Sequence, residues 1–190
     1  MLLLASKSPR RRELLKMLDL PFEIVEVRNV EEVYPDDLEV EKVPEYLSRI
    51  KAAPYLPDLK EDDILITADT VVILDNEIIG KPRDERQAEE MLKRLSGRIH
   101  RVVTGMTFTS PSRSHSFSVI TEVEFSKLTD EEIKFYVERY KPLDKAGAYG
   151  IQEWIGAIGV AGIKGSFYNV MGLPVHRLYK EILSFGKAAR

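Results

Sequence analysis

The segment ILITADTVVIL, residues 64–74, constrains the fold more than any other stretch of the chain. It is apolar on both alternating faces, the pattern of an interior strand covered on both sides. One carboxylate, Asp69, interrupts it between Ala68 and Thr70. A buried carboxylate is costly unless it is paired, hydrogen-bonded or bound to a metal. Asp69 is therefore a candidate site residue; the competing reading is a structural aspartate paired with an arginine or with backbone amides.

The elements around this strand follow from local rules. Residues 2–5 read as a short buried strand. Ser8 caps a helix over about 9–19, with Pro9 at its favoured first position. A strand is expected at 22–27, an acidic loop at 28–38, and a helix near 40–53 stopped by Pro54 and Pro57. Asp75-Asn76 turns into 77–79, and Asp84 caps a helix ended by Ser96-Gly97. Segments 98–109 and 115–125 predict a hairpin about TSPSRS, and Thr129 with Glu132 makes a capping box for a helix to about 139. Residues 155–164 read as a glycine-rich strand, and Val175, Leu178, Tyr179 and Ile182 mark a last helix. This order indicates an α/β chain with a mixed sheet.

Composition removes whole classes of function. There is no cysteine, which excludes disulfide frameworks, zinc–thiolate sites, iron–sulfur clusters and thiol nucleophiles. No apolar run approaches the ~18 residues of a membrane span, and MLLLASKSPRRRELL has the wrong order for a secretory signal, so the protein is expected to be cytoplasmic. A net charge of −3 argues against a general nucleic-acid binder. The 190 residues suggest one domain, with two lobes about a cleft.

The strongest polar signal is SKSPRRR, residues 6–12. Arg10, Arg11 and Arg12 occupy the first turn of a helix, where the dipole favours anions instead. Two serines, free N–H groups and arginines make a plausible polyphosphate cradle; a solvated basic face is the alternative. On this reading Arg11→Ala would stabilise the ligand-free protein slightly. Lys81, in GKP, sits in an extended loop suited to a phosphate contact or to a solvated turn. Lys51 lies close to the apolar side of its helix, where it could simply snorkel. In DKAGAYGIQ, residues 144–152, two glycines permit close backbone approach and Gln152 could read a base edge. His100, His115 and His176 show no metal-ligand spacing and read as surface or satisfied histidines; Trp154, Phe167 and Tyr168 read as packing.

Taken together, LASKSPRRRELL (4–15), VEE (30–32), the Lys51 helix, TADTVV (67–72), GKP (80–82), LSG (95–97), DKAGAYGIQ (144–152) and GSFYNVMGLP (165–174) resemble the Maf family of septum-formation-inhibitor-like nucleoside triphosphate pyrophosphatases. The resemblance runs nearly end to end and implies a single domain over residues 1–190. It implies a mixed, curved α/β sheet with flanking helices, similar to inosine triphosphatases, and hydrolysis of a nucleoside triphosphate to monophosphate and pyrophosphate with a divalent metal, Mg²⁺ or Mn²⁺. Asp69 would be the proton acceptor, with Lys51 and Lys81 on the phosphates. Ser6, Ser8, Arg10 and Arg11 would hold the polyphosphate. Glu32, or alternatively Glu31, would support the metal together with Asp69. Arg11, Thr70 and Gln152 match the dTTP/UTP-preferring branch. The sequence departs from the pattern at Lys7, usually a small residue, and at Glu153, usually glycine. The resemblance also implies a homodimer. A noncatalytic, nucleotide-sensing regulator of cell division is the competing function.

Overall fold

The computed structural model describes residues 1–187. Seven strands form one mixed sheet: β1 (Leu2–Leu4), β2 (Phe22–Ile24), β3 (Ile64–Leu74), β4 (Glu77–Ile79), β5 (Ile99–Thr109), β6 (Ser114–Phe125) and β7 (Val160–Lys164). Their order is β2-β1-β3-β5-β6-β7, with β4 paired to β3. β1 runs parallel to both β2 and β3, whereas the β3–β4 and β6–β7 pairs are antiparallel. The helices are α1 (Pro9–Lys16), α2 (Val43–Ala52), α3 (Glu85–Leu95), α4 (Asp130–Tyr140), α5 (Trp154–Gly159), α6 (Phe167–Met171) and α7 (Val175–Lys187). Among the described residues no helix is long and apolar enough to cross a membrane.

The chain divides into two compact units. The first comprises Met1–Asp69, Thr104–Val119 and the chain from Gly172 onward; the second comprises Thr70–Val103 and Ile120–Met171. β3, β5 and β6 each give residues to both.

In the first unit α2 is seated closely on β5. A Cβ on Gly105 would stand 2.1 Å from the Glu45 nitrogen, so only glycine allows this approach. Behind it runs a chain of hydroxyls. Ser48 Oγ meets Thr107 Oγ1 at 2.7 Å, and Thr67 Oγ1 donates to the Ser48 carbonyl at 2.7 Å. These bonds tie α2 to β3 and β5. In the second unit Ala88, Leu92 and Leu95 of α3 and Ile133, Tyr136 and Val137 of α4 bury their apolar stripe with Val72, Leu74, Val123 and Phe125.

The expected caps hold. Ser8 Oγ accepts from the Arg11 N–H at 3.4 Å, Asp84 accepts from Gln87, and Thr129 with Glu132 forms the reciprocal box. α1 ends three residues earlier than expected, at Lys16, in a turn with Asp19 at φ 51°. β2 stops at Ile24. The α-helix ends before Pro54, but the chain continues as a 3₁₀ turn over Ala53–Asp58.

The strand expected over 155–164 is a correction. Its first part is helix α5 and only Val160–Lys164 is strand. Glycine opposes a helix by propensity, but packing overrides it here. A Cβ on Gly156 would lie 1.8 Å from the Ile151 carbonyl oxygen, and one on Gly159 would lie 2.9 Å from Leu128. Helix α6 has no counterpart among the expected elements. Phe167 and Tyr168 are exposed instead of packed, whereas Trp154 sits edge-on to Phe135.

His100 is buried in the second unit, its Nε2 2.6 Å from the Tyr149 hydroxyl and its ring edge-on to Phe125. Burial lowers its pKa from 6.5 to about 4. The folded protein therefore binds fewer protons here than the unfolded chain between those values. Its contribution is complete above pH 6.5 and is lost as pH falls to about 4. The loss amounts to roughly 3 kcal/mol. His100→Gln removes this term, so unfolding free energies of the two proteins should converge or cross on acidification. Parallel pH profiles would show that His100 is not held neutral.

Candidate active site

Asp69 is the last residue of the first unit's opening segment and lies mid-way along β3, its side chain 14% exposed. Its carboxylate is paired with Lys51, with Nζ to Oδ1 at 2.6 Å. Lys51 stands in the last turn of α2, where the helix dipole favours a cation. The same ammonium lies 3.1 Å from Glu32 Oε1. Glu32 comes from the irregular segment before α2, and of the two adjacent glutamates it is the one placed on Lys51. Lys51 therefore does not merely snorkel: two carboxylates from separate segments meet on one ammonium.

Arg11 departs from its expectation. Its Nε donates to the Gly172 carbonyl at 2.8 Å and its NH1 to the Ala68 carbonyl at 2.7 Å. Desolvation lowers its pKa; Asp69 and Glu32 oppose that shift and Arg10 adds to it. The guanidinium is thus a tied, partly desolvated charge beside Asp69, not a loose cation repelled by a dipole. Arg11→Ala should lower ligand-free stability by about 1–3 kcal/mol, because bonds from a charged donor are lost and two carbonyls are orphaned. Melting of the ligand-free variant checks the sign; an equal or higher melting temperature would restore the dipole argument.

The rest of the 6–12 segment is shaped by its own bonds. Ser6 is buried, and its Oγ accepts from the Ser8 N–H at 3.2 Å. Arg12 holds the Ser6 carbonyl through Nε and NH2 at 3.3 and 3.1 Å. Arg10 is half-buried on α1. Lys7 reaches Asn29 Oδ1 at 3.3 Å. The loop is thereby held in one shape ahead of the α1 N-terminus.

Thr70, Lys81 and Gln152 belong to the second unit. Thr70 is half-buried on β3; Lys81 is exposed after β4; Gln152 is exposed on the turn before α5. The Gly147 N–H donates to the Gly80 carbonyl at 3.0 Å, which joins the segment of Gln152 to that of Lys81. Gly147 and Ala148 follow one another at φ 69° and 57°. The alanine is the strained member, since a Cβ disfavours that region.

Glu153 is not a loose carboxylate beside Gln152. It accepts from the Tyr136 hydroxyl and lies 3.2 Å from Lys145 Nζ. Lys145 is itself buried and also pairs with Asp144 at 2.8 Å. No spacing in the sequence signals Tyr136, which the structure buries on α4.

The donor set bears on metal binding. Among the described residues no group of three or more histidine or acidic side chains could hold an ion unaided. Mg²⁺, however, is commonly held by one or two carboxylates together with substrate phosphates. Glu32 and Asp69, converging on one cation, fit that arrangement.

The family described as Maf-like protein matches residues 1–185. A protein of Phocaeicola vulgatus named dTTP/UTP pyrophosphatase is 52% identical over 181 residues, covering 95% of this chain and 94% of its own. One of the same name from Porphyromonas gingivalis is 52% identical over 189 residues, covering 98% and 95%. Among solved structures, the Staphylococcus aureus Ham1 protein superposes with a TM-score of 0.57 at 15% identity, covering 97% of this chain and 98% of that one. This last likeness concerns the fold.

Proposed function

The chain belongs to the Maf-like family, and from that premise we propose that it is a nucleoside triphosphate pyrophosphatase that hydrolyses dTTP and UTP to monophosphate and pyrophosphate. The observation that carries the reading is the Lys51 ammonium held between Glu32 and Asp69, the latter on an interior strand. Asp69 and Lys51, 14% and 23% exposed, are largely removed from water, which is costly for charges that are not paired.

In this reading Asp69 accepts the proton of the attacking water. The water oxygen bonds to phosphorus, the α–β anhydride bond breaks, and its electron pair leaves with the bridging oxygen. Lys51 holds the Asp69 carboxylate in place and balances phosphate charge, and Lys81 adds a second cation. Arg10, Arg11, Ser6 and Ser8 bind the polyphosphate, while Thr70 and Gln152 face the choice of base. Asp69 and Glu32 would hold a divalent metal, Mg²⁺ or Mn²⁺, which when bound neutralises charge developing on the phosphoryl oxygens. The reading makes residues 1–190 one catalytic domain that acts in the cytoplasm as a homodimer, without nucleic-acid or membrane partners.

The test is product identity. Purified protein with Mg²⁺ or Mn²⁺ should release pyrophosphate from dTTP and UTP. Orthophosphate as the sole initial product would exclude the reaction. Nucleotide-dependent stabilisation with no turnover would favour the noncatalytic regulator.

A further inference from the structure

Tyr136 is the most deeply buried large side chain of α4, at 0% exposure. A phenol in that position needs partners. Its hydroxyl accepts the Gly150 N–H at 3.0 Å and donates to Glu153 Oε2. Those two residues bracket Gln152, one on each side. The Glu153 N–H in turn donates to the Gly150 carbonyl at 3.0 Å, which closes a four-residue turn with Ile151 and Gln152 at its centre. Ile151 is anchored in the core and Gln152 is exposed. One hydroxyl thus grips both ends of the turn that presents Gln152.

The grip is reinforced from the other side. Glu153 Oε1 lies 3.2 Å from Lys145 Nζ, and the side chains are 20% and 10% exposed. Burial, and then the bond to Glu153, push the Tyr136 pKa upward, so the phenol stays a protonated donor. Apolar residues of similar volume often replace a buried ionic network without loss of stability. The distinctive return of this one is a fixed geometry at Gln152. A glutamine amide on a loose turn could present its carbonyl and NH₂ to many base edges.

We propose that Tyr136, assisted by Glu153, is a positioning residue for base discrimination: its hydroxyl fixes the Gly150–Glu153 turn and so the placement of Gln152. The proposal rests on the reading of Gln152 as the residue that selects the base. A fixed amide complements the N3–H and O4 edge shared by thymine and uracil; cytosine presents the reverse pattern there.

The experiment compares dTTP with dCTP in steady-state kinetics of the full chain. Tyr136→Phe should raise KM for dTTP about tenfold with kcat within about twofold, and lower the dTTP-over-dCTP preference by a similar factor. Glu153→Ala keeps the Tyr136–Gly150 bond and should lower the preference by a smaller factor; it decides the matter if the first variant does not fold. Combining either variant with Gln152→Ala should produce no further loss beyond Gln152→Ala alone. A purely structural Tyr136 would instead reduce melting temperature and leave the preference intact. If Gln152→Ala itself leaves the preference unchanged, the reading of Gln152 fails and takes the proposal with it. If Gln152→Ala collapses the preference but the folded brace variants retain it, or their effects add to it, the proposal alone is overturned.

Discussion

Asp69→Asn should lower kcat for pyrophosphate release by 10²-fold or more, the usual range for a lost general base being about 10²–10⁴. The substitution keeps the shape of the side chain and removes its negative charge. Lys51 would retain Glu32 at 3.1 Å, so the ammonium would not be left without a counter-ion. Stability should therefore change far less than rate. A hundredfold loss corresponds to about 2.7 kcal/mol of transition-state stabilisation. Circular dichroism and melting establish that the variant is folded, and single-turnover measurement separates the chemical step from product release. A folded Asp69→Asn protein with the wild-type kcat would show that the proton goes elsewhere.

Gly105→Ala should destabilise the protein by about 3 kcal/mol or more, the upper part of the range for overpacking. The added Cβ would stand 2.1 Å from the Glu45 nitrogen and 2.2 Å from the Pro44 carbonyl carbon. Both are backbone atoms, so no side chain can swing aside; the start of α2 must back away from β5. For a chain of this size the loss corresponds to a fall in melting temperature of about 6–12 °C. Activity should fall too, because Lys51 rides on the same helix. Gly80→Ala is the control: nothing lies within 4 Å of its Cβ position, and its stability should stay within about 0.5 kcal/mol. A Gly105→Ala protein that melts like wild type would mean that α2 is not pinned there.

Chemistry is legible in the sequence wherever it is local. Ser8, Asp84 and Thr129 cap their helices as expected because a cap is a contact over three residues. Asp69 stands out because its neighbours are apolar. What sequence does not supply is the far partner. Lys51 looks like a snorkelling side chain because its carboxylate lies 18 residues away on a strand. Arg11 looks like a free cation because its acceptors are carbonyls, which carry no sequence signal. Helix α5 reads as strand because its glycines answer to Ile151 and Leu128, not to their own propensity. Tyr136 is silent for the same reason: Glu153 is 17 positions on.

The first unit is assembled from segments that the second interrupts, and this sets a schedule for its synthesis. Arg11 leaves the ribosome early, yet the Gly172 carbonyl that accepts its Nε bond comes 161 residues later. At roughly 5–20 residues per second the guanidinium waits on the order of 10–30 s for that acceptor. All residues of the second unit have been made by Met171, before the last segment of the first begins. The nascent chain must therefore carry an incomplete first unit, with the Arg11 Nε bond to Gly172 unmade, through most of translation.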